Sequence, residues 1–326
     1  MTKSLSVPIC GFLAFFSILL VPVPVPTQAA EYPERTITLL VPYAPGAVTD
    51  LGARALAEAM EKNLKKAVVV VNRPGGGTTI AGNTVANAKP DGYTLGYFPS
   101  SASLPEVYTY FYQAPYSSKE LRPVCRVVAP VLTVAVKGDS PVNSLKDFAE
   151  YARKNPGTKI GTNGKSTTGY LAIRAIAKAE NLSLVDVPFE GGAHILAAIL
   201  GGHVPIGVPS YPEVKSLADA KQMKILAFLI ERRADFAPNV PTMVELGYRL
   251  AAPSFNGVFA PKGTPDAVVA RLNDAVTRIT QDAAFQTKIN NIGMQVFFED
   301  TKSFERSLEQ QKKNLQQFFK DEGLVK

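Results

Sequence analysis

The stretch VPYAPGAVTDLGARALAEAM (residues 41–60) carries an extended apolar segment into a helix through a loop of small residues with almost no side-chain chemistry. Upstream, TITLLVPY reads as a buried strand, and downstream Ala53, Leu56, Ala57, Met60 and Leu64 fall on one helical face. AVVVV from Ala67 reads as the next strand, a second helix is predicted around residues 79–88, and YTLGYF returns to a strand. The order is βαβαβ, which predicts a parallel sheet.

The pattern restarts after VLTVAVKG. A helix follows from Ser144, then strand TKIGTN, a helix over residues 168–180, strand LVDVPF, helix AHILAAIL, and strands VPIGV and MKILAFLI. The final third holds extended FNGVFAP, a helix opened by Thr264-Pro265-Asp266 with Val268, Val269, Leu272, Val276 and Ile279 on one face, and strand MQVFF. The last helix carries Phe304, Leu308, Leu315, Phe318 and Phe319. No glycine- or serine-rich linker separates the two α/β units, and the chain crosses between them in extended segments near residues 126–136 and 255–261. Two crossings of that kind suit a hinge, and the carboxyl ends of the strands would face the cleft between the units. There is no fixed repeat and no biased tract.

Residues 1–30 look unlike the rest. They offer Lys3, an apolar run from Val7 to Val21, a proline-broken tail, and Ala29 and Ala30 ahead of EYP. That is the pattern of a secretory signal peptide, too short and too broken by Pro8 and Gly11 for a membrane span, and with a bulky Ile9 where lipidation at Cys10 would want a small residue. Beyond it only Cys125 remains, which excludes an internal disulfide, and the chain is long enough for two ordinary cores. Of 35 Lys and Arg against 28 Asp and Glu, the leader takes only Lys3, and no run of five like charges occurs. Nucleic-acid binding is therefore not expected, while a preference for anions stays open.

In the opening loop Pro45 and Gly46 make the turn, and Gly46 and Ala47 leave room for close approach to the backbone. Thr49 or Asp50 is expected to cap the helix, so that its N–H groups point at whatever binds. A helix N-terminus favours an anion by about 0.3–1 kcal/mol when exposed and up to about 2 kcal/mol when partly buried. Alone, this is equally an ordinary βα turn. A second loop of the same design, GTNGKSTTGYLA (residues 161–172), lies in the other α/β unit; Thr162, Asn163, Ser166, Thr167 and Thr168 supply donors and Lys165 a full charge. Two such cradles facing across a hinge would pinch a small anion, although Lys165 also reads as a solvated loop lysine.

Catalytic and nucleotide motifs fail on spacing. In front of GKST, the glycine that a phosphate-binding loop requires is Lys159, and after Gly75 and Gly77 the third position of GxGxxG is Ile80. No GxSxG or HExxH occurs, and His194 and His203 are too far around one helix to share a face. No enzyme, cofactor or metal site is predicted.

An ordered series of segments, YPERTITLLVPYAPGAVTDLGARALAEAM, VVVNRPGGGTTIAGNTVANAKPDGYTL, VPFEGGAHILAAILGGHV, ERRADFAPNVPTMVELGY and GVFAPKGTPDAVVARLNDAV, resembles the periplasmic solute-binding proteins of tripartite tricarboxylate transporters, the TctC-like or Bug (Bordetella uptake gene) family. The resemblance implies the α/β, two-lobed type II periplasmic binding protein fold with a ligand cleft between the lobes, and capture of a small organic acid without chemistry. It also implies a periplasmic location, monomeric state and delivery to membrane transporter subunits. An alternative is a signalling protein that presents the carboxylate to a membrane sensor. The expected limits are residues 1–30 for the signal peptide, 31–131 with 254–326 for lobe one, and 132–253 for lobe two.

In that family the carboxylate is gripped by the loops matching residues 43–50 and 162–169. The ligand-binding set expected here is Tyr43, Ala44, Pro45, Gly46, Ala47, Val48, Thr49, Asp50, Ser100, Ser101, Thr162, Asn163, Lys165, Ser166, Thr167, Thr168, Phe189, Glu190, Gly191 and Ser210. Several positions depart from the family: Ala47 and Val48 stand in a usually glycine-rich turn, Lys165 replaces a small residue, and Glu190 replaces a base. An acid common in the strand matching VPIGVPS is absent. An acid beside the pocket points to a mono- or dicarboxylate, with or without an amino, amide or ring-nitrogen group, and Tyr43, Phe189 and Phe255 are available for its body.

Overall fold

The structure is a computed structural model and describes residues 1–2, 32–108, 113–164, 167–249, 253–321 and 323. The leader expected over residues 1–30, after its first two, lies outside the described residues.

The first strands are β1 (Ile37–Val41), β2 (Val68–Asn72) and β3 (Thr94–Phe98), joined by α1 (Val48–Leu64) and α2 (Thr79–Ala86), with β1 parallel to both neighbours. After a short α3 (Ser100–Ser103), β4 (Leu121–Pro130) leads into a second sheet. That sheet is built from β5 (Thr133–Lys137), α4 (Leu145–Lys154), β6 (Thr158–Thr162), α5 (Thr168–Ala179), β7 (Leu184–Pro188), α6 (Gly192–Leu200), β8 (Ile206–Gly207), α7 (Tyr211–Asp219) and β9 (Met223–Phe228). The chain returns to the first sheet with β10 (Asn256–Pro261), followed by α8 (Asp266–Gln281), α9 (Ala283–Asn291), β11 (Met294–Glu299) and α10 (Thr301–Asp321).

Strand order is β11-β4-β10-β3-β1-β2 in one sheet and β7-β6-β8-β5-β9 in the other. Both sheets are mixed, because the crossing and returning strands run against the parallel core: β10 is antiparallel to β3 and β4, and β5 to β8 and β9.

The predicted helical faces are the buried ones. Ala53, Leu56, Ala57, Met60 and Leu64 of α1 pack under the first sheet with Val269, Leu272, Val276 and Ile279 of α8. The opposite face is covered by α10 through Phe304, Leu308, Leu315, Phe318 and Phe319. Each of the Val, Leu, Ile, Met and Phe side chains among them contributes about 1.5–3 kcal/mol through burial. Phe255 belongs to this second cluster, 3% exposed with its ring 5.3 Å from that of Phe304, so it is core and not, as expected, free to contact a ligand.

Two helices escaped the periodicity. In α7 only Tyr211 and Val214 are buried, and in α9 only Phe285 and Ile289, too few to make a stripe. Their signals were local instead: the Ser210–Glu213 capping box spanning Pro212, and Asp282 accepting from the N–H groups of Ala284 and Phe285.

Candidate functional site

The loops at the carboxyl ends of β1 and β6 carry the residues singled out by the sequence. In the first, α1 begins at Val48 with Ala47 as an uncapped N-cap residue, so neither Thr49 nor Asp50 caps it as expected. Asp50 is the third helical residue and reaches back. Its carboxylate, 1% exposed, accepts from Gly46 N–H and Arg54 Nε (both 2.9 Å) and from Asn72 Nδ2 (2.8 Å). The same Asn72 amide donates to the Tyr43 carbonyl at 2.9 Å, and the Ala47 N–H turns inward to the Ala44 carbonyl. The loop is thus pinned to β2, and the Gly46 and Ala47 N–H groups are committed inside it. What remains for an anion is the leading turn of the helix, the N–H groups of Val48, Thr49 and Asp50, which have no intrahelical acceptor. Burial pushes the Asp50 carboxyl up, but hydrogen bonds from Arg54, Gly46 and Asn72, with the Arg54 charge, outweigh it and hold the group below the usual range. Because Arg54 balances its charge, Asp50 does not cancel the attraction of the helix start for an anion.

Hydroxyls draw the next two strand ends to this loop. Tyr43 is 36% exposed, yet its hydroxyl is hydrogen-bonded to Ser101. Thr78 Oγ1 donates to Ser101 Oγ at 3.2 Å, and Ser100 Oγ lies 2.9 Å from Tyr108 Oη. Thr78 sits at φ 86°, a strained conformation for a β-branched residue, at the start of α2. Sequence reasoning missed Asn72, Thr78 and Tyr108; only the glycine run RPGGGTT hinted at an unusual backbone.

In lobe two the expected donors are largely consumed by their own loop. Thr162, fully buried, donates to Asp186 Oδ1 (2.5 Å) and accepts from Gly164 N–H (3.0 Å). Thr167 caps α5, accepting from Tyr170 N–H, and donates to the Gly164 carbonyl at 2.7 Å. Asn163 is exposed; Lys165 and Ser166 lie outside the described residues. Thr168 Oγ1 is 3.1 Å from Ser254 Oγ on the return crossing. Phe189 N–H donates to the Thr162 carbonyl, and its ring packs where a Cβ on Gly161 would stand, 3.2 Å away. Glu190 is exposed, and Gly191, at φ 142°, opens α6. Ser210 caps α7, its hydroxyl held 2.5 Å from Glu213, whose carboxylate also fills the space a Cβ on Gly192 would need.

Two helix N-termini thus follow the carboxyl ends of strands in two different sheets, α1 after β1 and α5 after β6. Among the described residues no three His, Cys, Asp or Glu side chains gather as metal ligands, and His194 and His203 are exposed. A surface groove of about 290 Å³ between α1, α8 and α9 is lined by Glu58, Lys62, Arg278 and Lys288, away from these loops.

A family model described as "Tripartite tricarboxylate transporter family receptor" matches residues 52–324. Protein BugT of Bordetella pertussis is 32% identical over 263 residues, 79% of this chain and 80% of that one. Among solved structures, periplasmic binding protein BugD aligns at TM-score 0.72 and 30% identity, covering 90% of this chain and 99% of that one. An R. palustris protein solved with adipate aligns at TM-score 0.77 and 26% identity (90% and 98%), and MatC from Rhodopseudomonas palustris with bound malate at 0.71 and 25% (88% and 99%).

Proposed function

Since the chain belongs to the tripartite tricarboxylate transporter receptor family, we propose that it captures a small carboxylate between its lobes and delivers it, unaltered, to membrane transporter subunits. The observation that carries the reading is the pair of helix starts, α1 and α5, at the carboxyl ends of two sheets joined by two extended crossings. One carboxylate group meets the Val48, Thr49 and Asp50 N–H groups, under Tyr43, Ala44, Pro45, Gly46 and Ala47. The other end of the ligand meets the start of α5, where Asn163, Lys165, Ser166 and Thr168 add donors and Lys165 adds charge. Ser100, Ser101, Phe189, Glu190 and Gly191 line the remainder, while Thr162, Thr167 and Ser210 hold the loops in place. The lobes are residues 31–131 with 254–326, and 132–253. The mature protein works as a periplasmic monomer after removal of residues 1–30. That two structural neighbours hold adipate and malate supports a dicarboxylate.

The test is a thermal-shift screen of the mature protein against malate, succinate, adipate, citrate, aspartate, nicotinate and their neutral amides. A ligand at about 100 times its Kd adds about 2.7 kcal/mol to apparent stability. Stabilisation by acids and not by amides is the expected result; no response to any acid would end the proposal.

A further inference from the structure

Three helices of lobe two begin at one end of its sheet. β6 lies between β7 and β8 and runs parallel to both, so α5, α6 and α7, which follow these strands, start side by side. Backbone contacts tie the three starts together. Phe189 N–H, ahead of α6, donates to the Thr162 carbonyl; Val208 N–H, ahead of α7, donates to the Gly161 carbonyl; and Gly169 in the first turn of α5 packs against Val208.

Glu213 joins two of these starts. Its Oε2 accepts from the Ser210 N–H (2.8 Å) and hydroxyl (2.5 Å) at the head of α7, and its carboxylate rests so closely on Gly192, the first residue of α6, that a Cβ there would collide with it. The first intrahelical bond of α6 runs from Ile195 N–H to the Gly191 carbonyl, which leaves the N–H groups of Gly192, Ala193 and His194 without an intrahelical acceptor. Negative charge is favoured beside such a helix start, and here the chain supplies it from its own side chain. Glu213 is half-buried, and among the described residues its Oε1 takes no hydrogen bond and no Lys, Arg or His pairs with it. Asp50 in the opening loop differs, because Arg54 balances its charge. An uncompensated carboxylate is thus fixed at the strand ends from which α5 also starts.

We propose that Glu213 determines specificity by limiting the charge of the ligand: with one carboxylate taken at α1 and one at α5, it repels a third, so that dicarboxylates are selected over tricarboxylates of the same skeleton. The inference rests on the carboxylate-capture reading above. Repulsion of this kind needs no contact with the preferred ligand, since discrimination arises as readily from a like charge set against the competitor as from a bond made to the favoured molecule. Exclusion of water between the lobes strengthens it, because the interaction of two charges grows as the surrounding dielectric falls.

Calorimetric titration of the mature protein with matched acids, all carboxyl groups ionised, tests this: glutarate against tricarballylate, and isophthalate against trimesate. Wild-type protein is expected to favour the dicarboxylate of at least one pair by about tenfold or more. In Glu213→Gln the amide keeps the capping box without the charge, and the ratio is expected to fall within about threefold because the tricarboxylate binds more tightly. Asp219→Asn removes an equal charge from the exposed far end of α7 and is expected to leave the ratio as it was. A test independent of any variant replaces the third carboxylate of each tricarboxylate by a neutral amide, which is expected to restore wild-type affinity. Rejection of these amides as well would make size the filter and overturn the charge role. Equal binding within both pairs, or a ratio that survives Glu213→Gln or shifts as much in Asp219→Asn, overturns the role of Glu213 and leaves carboxylate capture standing. So does binding of neither pair by a protein that the thermal-shift screen shows to bind another acid. No response to any acid removes both readings.

Discussion

At Gly46 the backbone sits at φ +84° with open space where a Cβ would stand, so the requirement for glycine is conformational before it is steric. Gly157 repeats that situation, φ +82° and open space, at the amino end of β6, opposite the end that carries the loop to α5. Alanine at either position is expected to cost a similar 1–2 kcal/mol or so, the penalty of a left-handed backbone, measured by denaturant unfolding. Only Gly46→Ala is expected to weaken ligand binding as well, and equal affinities in the two variants would reduce the opening loop to a turn. Beneath it, Asp50 accepts three hydrogen bonds from donors alone. Asp50→Asn places an NH₂ against one of those donors and is expected to cost about 1–3 kcal/mol. Because the folded carboxyl is held below its ordinary value, its contribution is present above the unfolded pKa of about 3.9 and is lost as pH falls through the lower folded value. Wild-type stability should therefore fall more steeply than that of Asp50→Asn below about pH 4; parallel acid titrations would dismiss the role. The sequence displayed the small residues of this loop but not where the helix begins within AVTD, and so Asp50 looked like a cap. Asn72 and Thr78 were not legible, because their partners lie 22 and 23 residues away and no local pattern marks them.

Elements with a long buried stripe were legible, as in α1 and α10, because burial imposes the helical period on the sequence. Short helices held by their ends were not. In α7, Ser210 and Glu213 form a reciprocal box, and that carboxylate packs against Gly192 at the start of α6, so one cap positions two helix N-termini in lobe two. In α9, Asp282 does the same work for one helix, and α9 packs with β11 and α1 on the outer side of lobe one. Ser210→Ala and Asp282→Ala are each expected to cost about 1 kcal/mol, within the 0.5–2 kcal/mol range for a lost cap, by thermal or denaturant melts. If the Ser210 hydroxyl serves only Glu213, the two variants will bind ligand with affinities close to wild type. A tenfold loss confined to Ser210→Ala would instead show that lobe two needs this cap, or its hydroxyl, at the ligand.

Across the whole molecule the sequence revealed two α/β units and two extended crossings, but not the mixed strand order, since antiparallel strands such as β4, β10 and β11 read individually like parallel ones. Nor did it reveal the residue on which the crossings converge. Arg126 of β4, 5% exposed at its side chain, lies 3.0 Å from Glu231 just beyond β9 and 3.5 Å from Glu299 at the end of β11. It also donates to the Ser254 carbonyl at 3.2 Å and stacks 3.9 Å over Phe297. Arg126 Nε, Glu231 Oε2 and Glu299 Oε2 are buried without partners among the described residues, so the network is incompletely satisfied and costly to hold. Its partners come from both sides of the return segment, so a change in the angle between lobes is expected to strain it. The arrangement seen here also joins the lobes through Ser254 with Thr168 and through Pro212 packed on Gly293. Arg126→Met would leave two carboxylates facing each other, with an expected loss of about 3–5 kcal/mol, too severe to report on motion. Glu231→Gln keeps the shape and leaves Glu299 opposite the guanidinium, so the fold should survive while the lobe angle loosens. Small-angle scattering is then expected to show a larger radius of gyration without ligand than for wild type, contracting to the same value when ligand is bound. Apparent affinity should fall by the fraction of molecules no longer competent to bind, about threefold to tenfold, or up to about 1.4 kcal/mol. An unchanged radius with unchanged affinity would make Arg126 an ordinary buried ion pair and move the hinge to the return segment after Glu231.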